Sequence, residues 1–379
     1  MKKVFYWSPY LSNVATINNV INSAISLTKY SRNYAVSFID VIGEWVNSEK
    51  ILSKNNIDIK KLNSLILDLP KIGFIKSRIY SILIFLFNFF SLRNLLKTQK
   101  PEYLIIHLLT SLPLILLVIF KFETKFILRI SGLPKLNFFR KFLWNIAANK
   151  LHMVTCPSKQ TLDDLSKLKI FDNSKLVVVY DPILNVSLIN KKKNDIIETY
   201  TENKAFFLNI GRLTKQKNQV LLINLFENII KNNNKLILYI IGNGENKNLL
   251  MQKIKQKNLE KNIFLLGEKK NIFPYFKNAK AVIISSLWED PGAVMVESAF
   301  CNTPIISSNC PNGPTEFLDN DRAGYLFENN NFDSFRDSFN QFLNDDEHKI
   351  IKKKIEAKKN SKKYTFFNHF KKLNRVLNG

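Results

Sequence analysis

Short apolar runs alternate along this chain with longer segments in which apolar residues recur every three or four positions. The short runs are typical of buried strands, and the longer segments are typical of amphipathic helices. The pattern predicts eleven strands, at residues 3–7, 35–41, 103–107, 125–130, 152–156, 176–180, 205–211, 236–242, 263–267, 281–286 and 303–308. Helices between consecutive strands favour parallel sheets, so we predict an α/β protein.

The alternation is interrupted once, by the polar and charged stretch at residues 190–204. The chain has 379 residues, which exceeds the size at which a single hydrophobic core usually stops growing. We therefore predict two Rossmann-like domains, each a doubly wound parallel sheet, at residues 1–185 and 200–361. Residues 362–379 are typical of a basic amphipathic helix that packs on the domains.

Two apolar segments raise the question of a membrane. Residues 79–92 are a 14-residue apolar run, which is short for a spanning helix but suits a helix lying in the membrane interface. A buried helix of the first domain fits this run equally well. Basic residues flank it on both sides: Lys76, Arg78, Arg93 and Lys97. Residues 103–120 are longer, but His107 and Pro113 divide them into a strand and a helix, so buried core is favoured over a membrane span.

The chain carries a formal net charge of +25, and both halves are basic. Such a chain is attracted to nucleic acid, anionic lipid headgroups or phosphorylated substrates, although many of its lysines can simply be solvated. Cysteine and histidine are sparse and show no zinc-ligand spacing, so no metal is expected. The first residues contain too short an apolar run for a signal peptide, and a reducing, cytoplasmic setting fits the cysteines.

The first candidate motif is GRLTKQKN, at residues 211–218. It follows a predicted buried strand, so Gly211 allows a tight turn near the carboxyl end of the sheet, where α/β folds bind ligands. Arg212 and Lys217 can there grip two phosphates, the guanidinium through paired hydrogen bonds and the ammonium as a point charge. A diphosphate is the expected ligand, and solvated surface cations are the alternative.

The next predicted strand ends in IIGNGE, which contains Gly242, Asn243 and Gly244. Glycines after a buried strand permit a ligand to approach the backbone closely. A third glycine of the dinucleotide fingerprint is missing from this sequence, which disfavours an NAD site.

The stretch WEDPGAVMVESAF places Glu289 and Glu297 eight positions apart across a strand end and a helix start. The backbone N–H groups of Gly292, Ala293 and Val294 open that helix, and a helix N-terminus favours a phosphate. Glu289 can then accept from a sugar hydroxyl and Glu297 from ribose hydroxyls. A second pair at this spacing, Glu260 and Glu268, flanks an apolar run with no helix start between its members.

GR-x4-K, GNGE, E-x7-E and the following CNTPIISSNCPNGPTEFL resemble the nucleotide-binding half of the retaining glycosyltransferases of family 4, over roughly residues 205–330. The resemblance implies the GT-B fold, two Rossmann-like domains facing across a cleft, with residues 362–379 completing the first domain. It also implies a nucleotide-sugar donor, metal-independent transfer and no cofactor. The family's diphosphate pair falls on Arg212 and Lys217, its sugar-contacting carboxylate on Glu289, and its ribose-contacting carboxylate on Glu297.

Family members often carry a glycine-rich loop after the first strand, whereas this chain has SPYLSNVATINN without glycine. Ser12, Asn13 and Thr16 are expected to replace backbone contacts on the acceptor side. His107 stands where some lipid-mannosylating members place a histidine beside the sugar, although a lone histidine is more often structural. Three further residues at a strand end, either acceptor-side residues or part of a plain loop, are Arg129, Ser131 and Gly132.

The resemblance thus implies transfer of a sugar, such as a hexose or an N-acetylhexosamine, from a UDP-linked donor to a hydroxyl group. The leaving diphosphate would accept the proton while Arg212 and Lys217 stabilise its charge, Glu289 positions the sugar, and His107 stabilises charge near the anomeric carbon. A double displacement with Glu289 as nucleophile is the alternative.

Charge and the run at residues 79–92 suggest a lipid-linked glycan acceptor and an enzyme peripheral to the inner face of the membrane. The pathway would be synthesis of a surface polysaccharide, lipopolysaccharide or capsule. The rival functions are a basic nucleic-acid-binding protein, a UDP-sugar epimerase of the same architecture, and an inactive binding homologue. Nucleic acid is not expected as a partner, because the aromatic residues fall mostly within apolar runs.

Overall fold

The structure is a computed structural model that describes residues 1–10, 15–62, 74–132, 136–197, 205–230, 235–289 and 292–379. The chain forms two compact units, one of Met1–Pro182 with Phe366–Gly379 and the other of Ile183–Thr365. Each unit contains one sheet whose strands are all parallel. The predicted α/β class with two Rossmann-like sheets is confirmed.

The first sheet has seven strands in the order β3-β2-β1-β4-β5-β6-β7. They are β1 (Lys2–Trp7), β2 (Tyr34–Asp40), β3 (Ile57–Lys61), β4 (Tyr103–Ile106), β5 (Lys125–Arg129), β6 (Met153–Cys156) and β7 (Leu176–Val178). The second sheet has six strands in the order β10-β9-β8-β11-β12-β13. They are β8 (Phe206–Ile210), β9 (Ile237–Ile241), β10 (Ile263–Gly267), β11 (Ala281–Ile284), β12 (Ile305–Ser308) and β13 (Tyr325–Phe327).

Helices connect these strands. They are α1 (Ala15–Tyr30), α2 (Glu49–Lys54), α3 (Phe74–Gln99), α4 (Ser111–Ile119), α5 (Phe138–Ala148), α6 (Lys159–Lys167), α7 (Val186–Lys192), α8 (Gln219–Ile230), α9 (Lys247–Gln256), α10 (Phe273–Asn278), α11 (Ala293–Phe300), α12 (Pro314–Phe317), α13 (Phe332–Asn344), α14 (Glu347–Ser361) and α15 (Phe366–Asn378). Short 3-10 turns lie at Val46–Ser48, Asn173–Lys175, Lys215–Lys217 and Lys362–Tyr364.

Strand β1 shows why the predicted strands are continuously apolar. Val4 and Tyr6 point into one buried cluster, and Phe5 and Trp7 point into the cluster on the other face of the sheet. Helices cover both faces of the sheet, so the side chains of Val4 to Trp7 are buried whichever face they point to. The clusters therefore fix the sheet as the middle layer of its unit.

The order of strands reverses once in each sheet, between β1 and β4 and between β8 and β11. In open parallel sheets this reversal opens a crevice at the carboxyl ends of the two strands, where ligands bind. In the first unit the loops concerned follow Trp7 and Ile106, and in the second they follow Ile210 and Ile284. Five of the residues that the sequence singles out lie in the described parts of these loops before the next α-helix begins: His107, Gly211, Arg212, Lys217 and Glu289.

All eleven predicted strands are present, and the described residues form two further strands that were not predicted. Strand β3 reads IDIKK and fully buries only Ile57, and β13 has three residues. Both lie at an outer edge of their sheets. An edge strand is short and partly polar, so it lacks the apolar run on which the prediction depends.

Residues 79–92 lie within α3. The helix is neither fully buried nor fully exposed, so neither the buried helix nor the interfacial membrane helix describes it alone. Ile84 and Leu92 are buried in the core, whereas Ile82, Leu86 and Phe90 are exposed. As predicted, residues 103–120 divide into β4 and the buried helix α4. Among the described residues, no helix is long and apolar enough to cross a bilayer.

Candidate functional site

The loops that follow β8 and β11 are bonded to each other at the carboxyl edge of the second sheet. Ser285 Oγ donates to the Lys217 carbonyl at 2.9 Å, and Leu287 N–H donates to the Gln216 carbonyl at 2.8 Å. The Gln216 side chain also donates through Nε2 to the Trp288 carbonyl at 2.9 Å. Three hydrogen bonds thus hold the GRLTKQKN loop against the loop that leads to Glu289.

Lys217 and Glu289 meet at this junction. The Lys217 ammonium donates to Glu289 Oε1 in an ion pair, and Ser286 Oγ donates to the same oxygen at 2.6 Å. Glu289 is 7% exposed, so its carboxylate is compensated by these two donors rather than by bulk water. The structure therefore brings the predicted phosphate-binding lysine and the predicted sugar-binding carboxylate together. The sequence motifs give no sign that Ser286 is a second donor to Glu289.

Arg212 lies on the same loop but is exposed. Among the described residues its guanidinium makes one long hydrogen bond, from Nη2 to Gln216 Oε1 at 3.4 Å, and no ion pair. Gln216 thereby connects Arg212 to the Trp288 loop, a role that sequence reasoning missed. A guanidinium with so few internal partners keeps its donors available to an anion.

Gly242 and Gly244 serve a packing purpose in the second unit. A Cβ added at Gly242 would lie 2.0 Å from the Gly211 carbonyl oxygen, and one added at Gly244 would lie 2.4 Å from the Leu213 carbonyl oxygen. The Leu213 N–H also donates to the Asn243 carbonyl at 2.9 Å. The glycines let the loops after β8 and β9 touch, and their predicted contact with a ligand stays a prediction.

Helix α11 begins beside Glu289. Gly292, the residue before its first turn, has φ of 91°, a left-handed conformation that glycine adopts without strain. A Cβ there would stand 3.6 Å from Glu289 Oε2, so the helix start and the carboxylate are neighbours. The first N–H groups of a helix, here at Ala293 and Val294, have no acceptor within the helix. Residues 290–291 lie outside the described residues.

Glu297, one turn into α11, is half-buried. Burial raises the pKa of its carboxyl to about 7, because removal from water penalises the charged form. The side chain is therefore close to half-ionised at neutral pH. Donors from a bound ribose would favour the ionised form.

In the first unit, His107 directly follows β4, and its backbone N–H donates to the Trp7 carbonyl at 2.9 Å. Its ring stacks on Tyr6 with centroids 5.9 Å apart. Burial, and then the charges of Arg129 and His369, hold the pKa of His107 well below its usual range. Its Nε2 is buried and has no hydrogen-bond partner in the described part of the chain. His107 is thus a neutral imidazole with one unsatisfied nitrogen.

The Tyr6 hydroxyl belongs to a buried chain of hydrogen bonds. Tyr6 Oη lies 3.0 Å from Ser23 Oγ, and Ser23 Oγ lies 2.8 Å from His369 Nε2. His369 Nδ1 lies 2.7 Å from the Tyr180 carbonyl oxygen. A carbonyl can only accept, so Nδ1 carries the proton, Ser23 donates to Nε2, and Tyr6 donates to Ser23. Burial lowers the pKa of His369 to about 3.

His369 is a residue that sequence reasoning missed. It lies on α15, between Phe366 and Leu373, which are both buried against the first sheet. A histidine spaced three and four positions from apolar residues faces the core with them. That spacing is the signal that could have found it.

The predicted acceptor-side residues are not all placed alike. Arg129 is buried; its Nη2 donates to Asp181 Oδ1 at 2.5 Å and its Nη1 to the Val179 carbonyl at 2.6 Å. Asn19 also donates to Asp181, at 2.8 Å. The guanidinium therefore bonds to partners of its own unit. Ser131 is exposed, Gly132 and Thr16 are half-buried, and Ser12 and Asn13 lie outside the described residues.

The residues that the structure describes contain no group of three or more His, Cys, Asp or Glu side chains that could hold a metal ion. The expectation that transfer needs no metal stays a prediction.

The chain is similar to known glycosyltransferases. The family model described as glycosyl transferases group 1 matches residues 190–364. An uncharacterised glycosyltransferase of Methanocaldococcus jannaschii is 30% identical over 318 residues, which are 77% of this chain and 73% of that protein.

Another relative is the N-acetylgalactosamine-N,N'-diacetylbacillosaminyl-diphospho-undecaprenol 4-alpha-N-acetylgalactosaminyltransferase of Campylobacter jejuni. It is 30% identical over 206 residues, which are 54% of this chain and 54% of that protein. The similarity therefore spans about half the length of that enzyme.

Among solved structures, the Anabaena protein HepE in complex with UDP matches with a TM-score of 0.71 at 15% identity, covering 100% of both chains. A match at this identity shows the fold, which is GT-B.

Proposed function

Because the chain belongs to the group 1 glycosyltransferases, we propose that it transfers a sugar from a UDP-linked donor to a hydroxyl of a lipid-linked glycan, with retention of configuration. The observation that carries the donor half of this proposal is the junction of Lys217, Glu289 and exposed Arg212 at adjoining strand ends. It combines cationic groups for a diphosphate with a carboxylate for a sugar hydroxyl. UDP as the nucleotide is supported by the bound UDP in the structural neighbour HepE.

The donor's diphosphate carries negative charge that increases as the bond to the sugar breaks. Arg212 would bind it through its exposed guanidinium, and Lys217 would share its ammonium between Glu289 and the phosphate. The N–H groups at the start of α11 add donors on the same side. Fixed cations and dipoles aimed at a developing charge lower the barrier without reorganising at the moment of reaction.

Retention is proposed to follow from attack on the same face that the diphosphate leaves. The acceptor's O–H proton passes to the departing phosphate oxygen, so no protein base is required. The new glycosidic C–O bond forms as the old C–O bond to phosphate breaks. Glu289 would hold the sugar by accepting from its hydroxyls, and Glu297 would accept from the ribose. We propose that this chemistry proceeds without a metal ion.

For His107 we propose a contact with a sugar hydroxyl near the reacting carbon. Its Nε2 lacks a partner among the described residues, and its depressed pKa keeps the ring neutral. A neutral imidazole accepts or donates a single hydrogen bond without placing a cation against the forming positive charge of the sugar.

The acceptor is proposed to be anchored in a membrane, as part of surface polysaccharide, lipopolysaccharide or capsule synthesis. The name of the Campylobacter relative specifies a diphospho-undecaprenol acceptor. The enzyme would then work at the membrane surface, which agrees with its net charge of +25.

The test compares Arg212→Ala with Lys215→Ala, its exposed neighbour in the same loop, by calorimetric titration with UDP. Charge-assisted hydrogen bonds contribute about 1.5–3 kcal/mol each, so Arg212→Ala should weaken binding by about 10- to 100-fold. Lys215→Ala should change it by less than about threefold. Both variants should melt like the wild type, because neither side chain is buried. Unchanged UDP affinity in Arg212→Ala would refute the diphosphate site.

Activity is tested with UDP-, GDP- and ADP-sugars and an undecaprenyl-diphosphate-linked glycan. The anomeric configuration of the product is read by NMR. An inverted product would exclude retention, and a GDP- or ADP-sugar preferred over every UDP-sugar would exclude the UDP assignment.

A further inference from the structure

Two helices of the first unit expose regular rows of large apolar side chains. On α5, Phe138, Phe142 and Ile146 are exposed by 88%, 55% and 40%, and Phe139 beside them by 57%. Residues four apart share one side of a helix, so these side chains form a single stripe. The Phe138 and Phe142 rings lie nearly parallel, with centroids 6.3 Å apart.

Helix α3 repeats the arrangement with Ile82, Leu86 and Phe90, which are exposed by 59%, 61% and 73%. Its other side buries Ile84 and Leu92. The spacing is again four residues. The same helix therefore contributes to the core and leaves an apolar stripe uncovered.

Both stripes lie on the outer side of one layer. Helices α3, α4 and α5 bury their inner sides in the same cluster beneath the first sheet, for example through Leu96, Leu116 and Trp144. Helix α4 packs against both α3 and α5. Helix α4 adds Ile119, exposed by 57%, at its end. We call this outer side of α3, α4 and α5 the three-helix face.

Apolar side chains in this number are unusual on the surface of a soluble protein and mark an interaction site. Their role is not to hold the unit together, because each helix is already anchored by its buried side. The stripe on α5 did not stand out in the sequence, because Phe138 and Phe139 do not belong to a long apolar run.

The positive charge of this region indicates which partner binds the three-helix face. Residues 74–151 contain twelve Lys or Arg and only two acidic residues, Glu102 and Glu123. Lys97, Lys121 and Lys141 are exposed on or beside the three helices. Phenylalanine stripes bordered by lysines match a bilayer surface, where rings enter the acyl boundary and ammonium groups stay among anionic headgroups.

A second copy of the chain fits this face less well. A symmetric dimer would place the same patch against itself and bring two strongly basic regions together without acidic partners.

We propose that the three-helix face is the surface by which this protein docks on an anionic lipid bilayer, with Phe138 and Phe142 of α5 inserting together with the α3 stripe. This inference rests on the proposed function only for the idea that the acceptor is lipid-linked. The docking itself is a property of the face and can be measured without any reaction.

The experiment measures co-sedimentation of the full chain with vesicles of phosphatidylcholine containing about one-third phosphatidylglycerol, and with pure phosphatidylcholine vesicles. The variants are Phe138→Ser/Phe142→Ser on α5 and Ile82→Ser/Leu86→Ser on α3. The matched control is Leu249→Ser/Met251→Ser on α9, where two exposed apolar side chains also lie among lysines of the second unit. Thermal unfolding checks that each variant folds.

We expect the wild type and the α9 control to bind anionic vesicles, and each three-helix variant to partition at least tenfold more weakly. High salt and omission of phosphatidylglycerol should weaken wild-type binding. The proposal is overturned if the wild type stays in the supernatant, or if folded variants of both helices bind like the wild type. It is also overturned if the wild type is a dimer that the α5 variant makes monomeric while vesicle binding is unchanged.

UDP affinity, measured on the same proteins, tests the proposed glycosyltransferase function independently of the membrane-docking proposal. The α5 variant should bind UDP like the wild type. Loss of vesicle binding with intact UDP binding supports the face. If the wild type binds vesicles but no nucleotide, the docking proposal is supported and the proposed glycosyltransferase mechanism is contradicted.

Discussion

The buried pair of Lys217 and Glu289 yields a quantitative prediction about stability. In Lys217→Met most of the apolar stem is kept while the ammonium is lost. Glu289, 7% exposed, would then keep only the Ser286 hydroxyl as a side-chain donor among the described residues. Removing one partner of a buried ion pair costs about 3–5 kcal/mol, because the other charge stays desolvated. The Lys217 side chain is 18% exposed, so we expect the lower end, about 3 kcal/mol.

For a unit of this size, 1 kcal/mol corresponds to about 2–4 °C in the melting temperature. Lys217→Met should therefore lower the melting temperature of the second unit by about 6–12 °C at pH 7.5. Trp288, half-exposed beside Glu289, allows that unit to be followed by fluorescence. Lys215→Met, an exposed lysine of the same turn, is the control and should change little.

The double variant Lys217→Met/Glu289→Gln completes the test. It removes both charges, so its cost should fall well below the sum of the two single costs. If Lys217→Met melts within about 1 °C of the wild type, or if the two costs simply add, the pair is not coupled as described.

Two predictions concern pH. The Glu297 carboxyl, with its pKa raised to about 7, becomes ionised as pH rises, so UDP affinity should increase about tenfold from pH 6 to pH 8. The Glu297→Gln variant should show only the shallower change in affinity that is due to the titration of UDP itself. Identical pH dependence in the wild type and the variant would contradict the ribose contact. His369 has a folded pKa of about 3 against about 6.5 when unfolded, so the unfolded chain binds more protons between these values and stability is lost as pH falls below 6.5. At pH 5 the free energy of unfolding, measured with urea, should be lower by about 2 kcal/mol, and His107 should add to this loss. In His369→Asn the free energy of unfolding should depend less steeply on pH. An equally steep dependence would refute the buried neutral ring.

The strands were predictable because burial on both faces of a parallel sheet makes their sequences continuously apolar. The α3 segment was not, because nearly every residue from Ile79 to Leu92 is apolar. Its few polar residues give no regular period that tells the buried side of the helix from the exposed side. Only packing against the sheet decides that Ile84 lies inside and Leu86 outside.

The candidate site divides in the same way. Arg212, Lys217 and Glu289 could be predicted, because each follows a strand and parallel strands bring their carboxyl ends to one edge. Ser286 could not, because only the folded path of its loop turns the Ser286 hydroxyl toward Glu289, three residues away. Gln216 could not, since its role depends on a bond to Trp288, 72 residues away in the chain. Local spacing contains no record of such long-range contacts.

The two sheets have the same strand order around their reversals, but the two units differ in how their charged groups are compensated. In the first unit Arg129 is neutralised by Asp181, and burial keeps His107 and His369 uncharged. In the second, Arg212 has no acidic partner among the described residues. A dianionic diphosphate gains most where a cation is not already compensated, whereas an uncharged hydroxyl gains most from a neutral hydrogen-bonding group. Nucleotide affinity should therefore reside in the second unit, and the neutral imidazole of the first unit is the group suited to a sugar or acceptor hydroxyl.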